Sequence, residues 1–435
     1  MSATMITKSL SSTYANLRTN AERMNETLQF SCQWGSTEDG GMNRLSGNDD
    51  DKEVRDWFIA ETAKYGCSHK IDAMGNIFAT RPGQNNGIPP IGLGSHLDTQ
   101  PTGGKYDGIL GVCCAIEVLK VIHEHNITTY APLAVINWTD EEGARWAPAM
   151  LGSGVWGGVY STEYAHGVSD PDGITLKQEI ERIGYVGDVP CSYEANPLLA
   201  HFEVHIEQGP ILDEAEKPVG LVKSVQSMRW YHLNLKGRSA HTGSTPMDRR
   251  NDTLLAAAKM IVAVNEVATQ PELAARGARG TIAVINSLPQ STNTIAGDVS
   301  MNLDLRSPED EGVEELERLC REKFEKISKE HGVALEMDRF WQSPATYFNE
   351  EMKNCIRASM GQYDCSHEIV SGAGHDSVYT AKKVPTAMIF ARCRNGVSHN
   401  PAEYSRPEDC AASAEVMLGA YLQYDEIIRK KYETK

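Results

Sequence analysis

Residues 89–142, PPIGLGSHLDTQPTGGKYDGILGVCCAIEVLKVIHEHNITTYAPLAVINWTDEE, decide the fold. Within them, 89–96 (PPIGLGSH) and 131–142 (APLAVINWTDEE) read as buried strands that end in polar residues, and 107–125 (DGILGVCCAIEVLKVIHEH) has the periodicity and length of a helix. This alternation reads as α/β with a largely parallel sheet. In such sheets, ligand-bearing residues collect at the carboxyl ends of strands. His96 and the run Asp140, Glu141, Glu142 fall there. Three adjacent carboxylates resist being ionised together unless something positive sits among them. A metal site satisfies that condition, and so does an ordinary solvated loop.

From about Ser224 the pattern changes. A strand (228–237, MRWYHLNLKG), a helix (252–268), two strands (280–288 and 298–306), a helix (311–332) and a strand (333–340, VALEMDRF) follow one another. That β-α-β-β-α-β order is ferredoxin-like. After about Phe340 the α/β character returns with VPTAMIFARC (384–393) and a final helix. The expected division is therefore a larger domain in two parts, 1–224 and 341–435, with an α+β domain, 225–340, inserted in it. A sheet covered by helices on one face leaves an edge strand that is either blunted or paired with another chain.

A chain of 435 residues is long for a single core, which agrees with two domains. The formal charge of -17 argues against non-specific binding to nucleic acid or to an anionic membrane. The opening MSATMITKSLSSTYANLRTN lacks the charged start and apolar run of a secretory signal. Nor does a run of about 18 apolar residues occur. A cytosolic protein is expected. Ten scattered cysteines without a C-x-x-C spacing point to buried, reduced thiols. His123 and His125, at i and i+2 of a helix, face different ways and cannot readily share an ion.

Five potential metal ligands stand at predicted strand ends or in loops: His96 (GSHLDT), Asp107 (GGKYDG), Glu142 (DEEGAR), His205 (EVHIEQG) and His399 (GVSHNPAEY). Imidazole and carboxylate without thiolate suit zinc, and are compatible with manganese, cobalt or nickel. One shared carboxylate can bridge two ions about 3.5–4 Å apart, and Asp107 in its glycine-rich loop is the natural bridge. Taken singly, a His-x-Asp is more often a hydrogen-bonded surface pair, and an acidic run a solvated loop or helix start. The weight comes from their order and contexts together.

The ordered series GSHLDT, GGKYDG, TDEEGAR, HIEQGP, GRSAHTGSTPMDRR, GAGHDS and GVSHNPAEY resembles the dimetal amidohydrolases of the M20 peptidase clan. More narrowly it resembles the hydantoinase/carbamoylase subfamily, which includes N-carbamoyl-L-amino acid hydrolases, allantoate amidohydrolases and yeast-type β-ureidopropionases. The resemblance implies a dimetal aminopeptidase-like catalytic domain and dimerisation through the inserted domain. It implies one ion held by His96, Asp107 and His205 and a second by Asp107, Glu142 and His399. Asp98 would orient His96 from behind, Glu141 would be the general base, and Asp140 a loop-capping acceptor.

In the inserted domain, His241 matches the family histidine that reaches across the dimer to the developing oxyanion. Asn293 and Arg306 match positions that bind the substrate carboxylate, and Gln208 and His375 match further substrate contacts. Arg306 alone would more often be a strand-end salt bridge. The chain departs from the family in having Ala296 where relatives commonly carry proline, which could loosen the loop that positions Asn293. The wording of the last motifs is closest to the yeast-type β-ureidopropionases. The expected reaction is therefore hydrolysis of N-carbamoyl-β-alanine to the amino acid, ammonia and CO2. The alternatives are an N-carbamoyl-L-α-amino acid, allantoate or dipeptide substrate in the same clan, or a catalytically silent dimeric binding protein.

Overall fold

The computed structural model describes residues 17–434, so most of the opening stretch read for a secretory signal lies outside the described residues. The chain divides into two units, 1–223 with 348–435, and 224–347. The second unit extends to Tyr347, past the expected 340; its strand Ala334–Ser343 pairs with Ser227–Lys236 as far as Ser343↔Met228, with a register shift between Arg339 and Trp341.

A mixed sheet forms the centre of the first unit. Four of its strands, Leu133–Trp138, Ile91–His96, Ala200–Ile206 and Thr386–Ala391, are neighbours in that order and run parallel. Every residue in these four strands is buried, so both faces of the sheet are covered there, and Ala200–Ile206 buries His201, Glu203 and His205 as well as its apolar side chains. Antiparallel strands extend the sheet, Ile77–Arg81 and Ser68–Ile71 at one end and Val219–Val225 at the other. The helix Ile109–Glu124 is buried from Ile109 to Ile122, including Cys113 and Cys114. Such all-round burial is what an apolar helix inside a large domain needs. It packs in one core with the helix Pro407–Glu433 and the sheet. All ten cysteines are free thiols. Among the described residues, no helix is long and apolar enough to cross a membrane.

The second unit is a four-stranded antiparallel sheet in the order Ala334–Ser343, Ser227–Lys236, Asp298–Ser307, Arg279–Leu288. The helices Thr253–Ala268 and Asp310–His331 complete the ferredoxin-like arrangement. Alternation sorts the strands: Tyr231, Leu233, Leu235, Val299, Met301, Leu303 and Leu305 meet Met260, Val264, Leu316 and Phe324 of the helices in one core. Arg279–Leu288 is one of the two edge strands, with Val284, Ile285 and Leu288 exposed.

His201, which carried no motif, is a core histidine in the strand Ala200–Ile206, with Trp138 Nε1 donating to its Nε2 at 3.4 Å. Burial holds its pKa down to about 3. A folded-state pKa below the unfolded value means that His201 favours the fold above about pH 6.5, and that this contribution is lost as pH falls towards the folded value. Denaturant titrations near pH 7 and near pH 4.5 should therefore show His201→Gln losing less stability on acidification than the wild type. Equal losses would mean that the ring is not held neutral.

Candidate metal centre

Parallel strands bring their carboxyl ends to one edge of the sheet, and the register sets which residues meet there. His96 ends its strand opposite Trp138, after which the chain turns into Thr139–Glu142. From the pair Leu93↔Phe202, three residues further along each strand lead to His96 and His205, whose rings lie 5.8 Å apart. Asp107 arrives from the loop before the helix Ile109–Glu124. His399 comes from the loop before Pro407–Glu433.

Two groups of possible ligands result, His96–Asp107–His205 and Asp107–Glu142–His399, with Asp107 common to both. Asp107 Oδ1 lies 3.0 Å from His205 Nε2 and 3.6 Å from His96 Nε2. Its Oδ2 lies 3.4 Å from His399 Nε2, which is 3.3 Å from Glu142 Oε2. Glu141 Oε2 stands 3.4 Å from His96 Nε2, beside the first group. His96 Nδ1 and His205 Nδ1 each meet a backbone carbonyl, of Asp98 at 3.0 Å and Ile206 at 2.9 Å. Those bonds place the ring proton on Nδ1 and leave Nε2 as the ligating atom.

The electrostatics favour positive charge among the carboxylates. Burial pulls the His205 pKa down, yet Asp107 more than offsets it and raises the value to about 9. Hydrogen bonding to Asp107 and Glu142 lifts His399 to about 11. Asp107, despite burial, is held well below the usual carboxylate range by His205, His399 and His96. Glu141 is pushed well above it by burial and by the charges of Asp376, Glu142 and Asp107. The pocket is thus organised around positive charge between the carboxylates. His96 Nε2 is buried without a hydrogen-bond partner. This orphaned nitrogen, in a donor set of imidazole and carboxylate, fits divalent cations at the two groups.

Several residues sit differently from the sequence expectation. The Asp98 carboxylate is 3.8 Å from His96 Nδ1; the Asp98 carbonyl is what orients the ring, and the carboxylate instead accepts from the N–H groups of Glu141 and Glu142 at 3.4 and 3.2 Å. Asp140 is fully buried at φ 58° with neither carboxylate oxygen hydrogen-bonded, so the capping acceptor of this loop is Asp98, not Asp140. Gln208 Nε2 donates to Asp107 Oδ2 at 2.7 Å. His375 is buried, packs 4.4 Å from the His205 ring and bonds Ser371 Oγ at 2.9 Å, so it supports a ligand in this structure. Asp140, Gln208 and His399 all adopt positive φ. Non-glycine residues keep that backbone only where their surroundings over-determine it.

His241, Asn293 and Arg306 belong to the second unit. His241 pairs with Thr294 in a two-stranded ladder, and Thr242 N donates to Asn293 O at 3.0 Å, so His241 and Asn293 share one loop pair. His241 Nδ1 accepts from the N–H groups of Gly243 and Ser244 at 3.0 and 3.2 Å. Arg306 forms the strand-end ion pair, with Asp304 at 2.6 Å. Ala296 does not leave its loop loose: its carbonyl accepts from Thr253 Oγ1 at 2.8 Å, and Gly297 N donates to Leu288 O at 2.9 Å.

Sequence reading missed three supports. Arg44, fully buried, donates to the carbonyls of Leu97, Ser31 and Trp34, and holds the loop that follows His96. Gln100 Nε2 donates to Glu142 Oε2 at 2.9 Å. Gly108, at φ +66°, admits His96, since a Cβ there would lie 2.2 Å from the imidazole. Only Gly108 carried a sequence signal, as the glycine after Asp107.

A family profile described as Peptidase family M20/M25/M40 matches residues 92–423. An N-carbamoyl-L-amino-acid amidohydrolase from Rhizobium meliloti is 40% identical over 414 residues, covering 95% of this chain and 98% of its own length. An allantoate amidohydrolase from Bacillus subtilis is 30% identical over 380 residues, 87% of this chain and 91% of its own. A crystal structure of an amidase of the hydantoinase/carbamoylase family from Burkholderia multivorans has a TM-score of 0.85 at 38% identity, covering 94% of this chain and 98% of that one. With its double ligand group at the strand ends and its ferredoxin-like second unit, the chain belongs to the M20/M25/M40 peptidase family, among the dimetal-dependent hydantoinase/carbamoylase amidohydrolases that act on carbon–nitrogen bonds of linear amides.

Proposed function

We propose that the protein hydrolyses the carbamoyl C–N bond of N-carbamoyl-L-α-amino acids, giving the amino acid, CO2 and ammonia. The observation that carries this is the buried Asp107 shared by two ligand groups with Glu141 beside them. N-carbamoyl-β-alanine, the expectation from motif wording, gives way to the α-amino acid alternative. The relatives that span nearly the whole chain at 40% and 33% identity bear the N-carbamoyl-L-amino acid name.

Two divalent cations, which we take to be Zn2+, would supply Lewis acidity to the carbamoyl carbonyl and lower the pKa of water. Glu141, a buried carboxyl with raised proton affinity, takes the proton of the attacking water and returns it to the departing nitrogen. His241 donates to the developing oxyanion. Its Nδ1 is already an acceptor, which leaves the ring proton on Nε2, the donor this role requires. Arg306, with its guanidinium fixed by Asp304, and Asn293 hold the substrate carboxylate. Gln208 and His375 steady the centre from its rim.

The second unit serves as the dimerisation domain. The exposed Val284, Ile285 and Leu288 of the edge strand and Leu254, Leu255 and Val262 of the helix Thr253–Ala268 support pairing with a second copy. Buried free thiols suit a cytosolic setting.

A substrate panel on metal-loaded protein tests the reaction. The highest kcat/KM should fall on an N-carbamoyl-L-α-amino acid, above N-carbamoyl-β-alanine, allantoate and dipeptides. A preference for any of those three overturns the assignment.

Glu141→Gln should retain full metal content by elemental analysis and lose on the order of 10²–10⁴-fold in kcat. Loss of metal together with activity would exchange the roles of Glu141 and Glu142.

Complementation tests whether His241 acts in the neighbouring subunit. Mixing Glu141→Gln with His241→Ala and allowing subunit exchange should restore about a quarter of wild-type activity, since half of the dimers are mixed and each has one complete site of two. Exchange seen by mass without recovery would place His241 in its own subunit's site.

A further inference from the structure

The structure assigns Glu403 as the positioning residue that clamps Asp107 and thereby couples both halves of the metal centre. Glu403 belongs to neither ligand group, yet it is buried among them. Its Oε1 accepts from the backbone N–H of Tyr106 at 2.9 Å and of Asp107 at 3.1 Å. Its Oε2 lies 3.1 Å from Ser398 Oγ, which is 2.8 Å from Asp107 Oδ2. One carboxylate therefore holds the bridging residue by its backbone, while the single Ser398 Oγ proton is shared between the Glu403 and Asp107 side chains.

The clamp also ties two loops that meet only in the folded chain. Ser398 precedes His399, and Glu403 N donates to Asn400 O at 2.9 Å, so the turn that presents His399 closes on the group that grips the Asp107 loop. Gly104 makes the approach possible: a Cβ there would stand 2.2 Å from Glu403 Cδ and Oε1. A buried carboxylate beside a second one is unfavourable unless its oxygens are well satisfied. Here the groups that satisfy them belong to the metal cradle itself. Because Asp107 is the residue common to both ligand groups, releasing it should weaken both ions in parallel, whereas His96 or His399 belongs to one group only.

This inference rests on the reading of Asp107 as the shared ligand, and the test separates the two. Zn2+ affinity of metal-stripped full-length protein would be measured by competition with a chromophoric chelator, with far-UV circular dichroism of each metal-free variant as the folding control. Glu403→Ala should bind both Zn2+ equivalents about 10–100-fold more weakly, the usual effect of removing an outer support of a metal site. Glu403→Gln should bind close to wild type, because its amide carbonyl can accept both N–H groups and its amide N–H can donate to Ser398. Gly104→Ala, which displaces the carboxylate without removing it, should resemble Glu403→Ala, and it decides the matter if Glu403→Ala does not fold. Wild-type affinity in Glu403→Ala, weakening confined to one ion, or a Gln variant as weak as Ala would each overturn the clamp. Asp107→Ala is the control: if it binds two Zn2+ as tightly as wild type, the metal-centre reading fails. Binding lost in Asp107→Ala but intact in Glu403→Ala fails the clamp alone.

Discussion

The organising constraint of this molecule is the burial of like charge around Asp107. Its carboxylate, those of Glu141 and Glu142, and the imidazoles of His96, His205 and His399 converge within a few ångströms. Carboxylates that close cannot all be ionised in a buried setting without positive charge among them. His205 and His399, whose pKa values the carboxylates raise, provide part of it, and the two ligand groups are where cations would provide the rest. The chemistry of the family is the use of that charge.

A buried charged centre needs rigid walls, and the parallel sheet supplies them. His96 and His205 each lie three residues beyond the pair Leu93↔Phe202 on adjacent strands, and the turn after Trp138 delivers Glu141 and Glu142 to the same edge. Backbone groups then complete the cradle. The carbonyls of Asp98 and Ile206 set two imidazole tautomers, and Asp98 ties down the acidic turn. Close approach is bought with glycine at Gly104 and Gly108, where any Cβ would strike Glu403 or His96.

The second unit carries the residues proposed as donors. Its small loop pair carries His241 and Asn293 together, and two backbone N–H groups fix the His241 ring so that Nε2 is the proton-bearing nitrogen. Asp304 restrains Arg306, two residues along the same strand, Asp298–Ser307. A donor aimed at developing charge is effective only when its orientation is fixed beforehand.

The architecture was legible in the chain because it follows from local pattern. Apolar runs ending at His96 and Thr139, the apolar helix from Ile109 and the strand–helix alternation of the insert each state their element within a few residues. The residues that the fold gathers into the two candidate groups also stand out in the chain, as polar side chains at strand ends or in loops beside apolar runs. What sequence by itself left open were contacts between residues far apart in the chain. Examples are Glu403 on the backbone of Asp107, Arg44 on the carbonyl of Leu97, and the choice between the Asp98 carboxylate and carbonyl as the partner of His96. The second unit runs past 340 to Tyr347, and strand pairing, not composition, holds Ala334–Ser343 in its sheet. Local propensity and periodicity act between near neighbours and can be read from their order. Hydrogen-bond partners chosen across hundreds of residues depend on which backbone groups the packed fold leaves unsatisfied, and only the tertiary structure decides that.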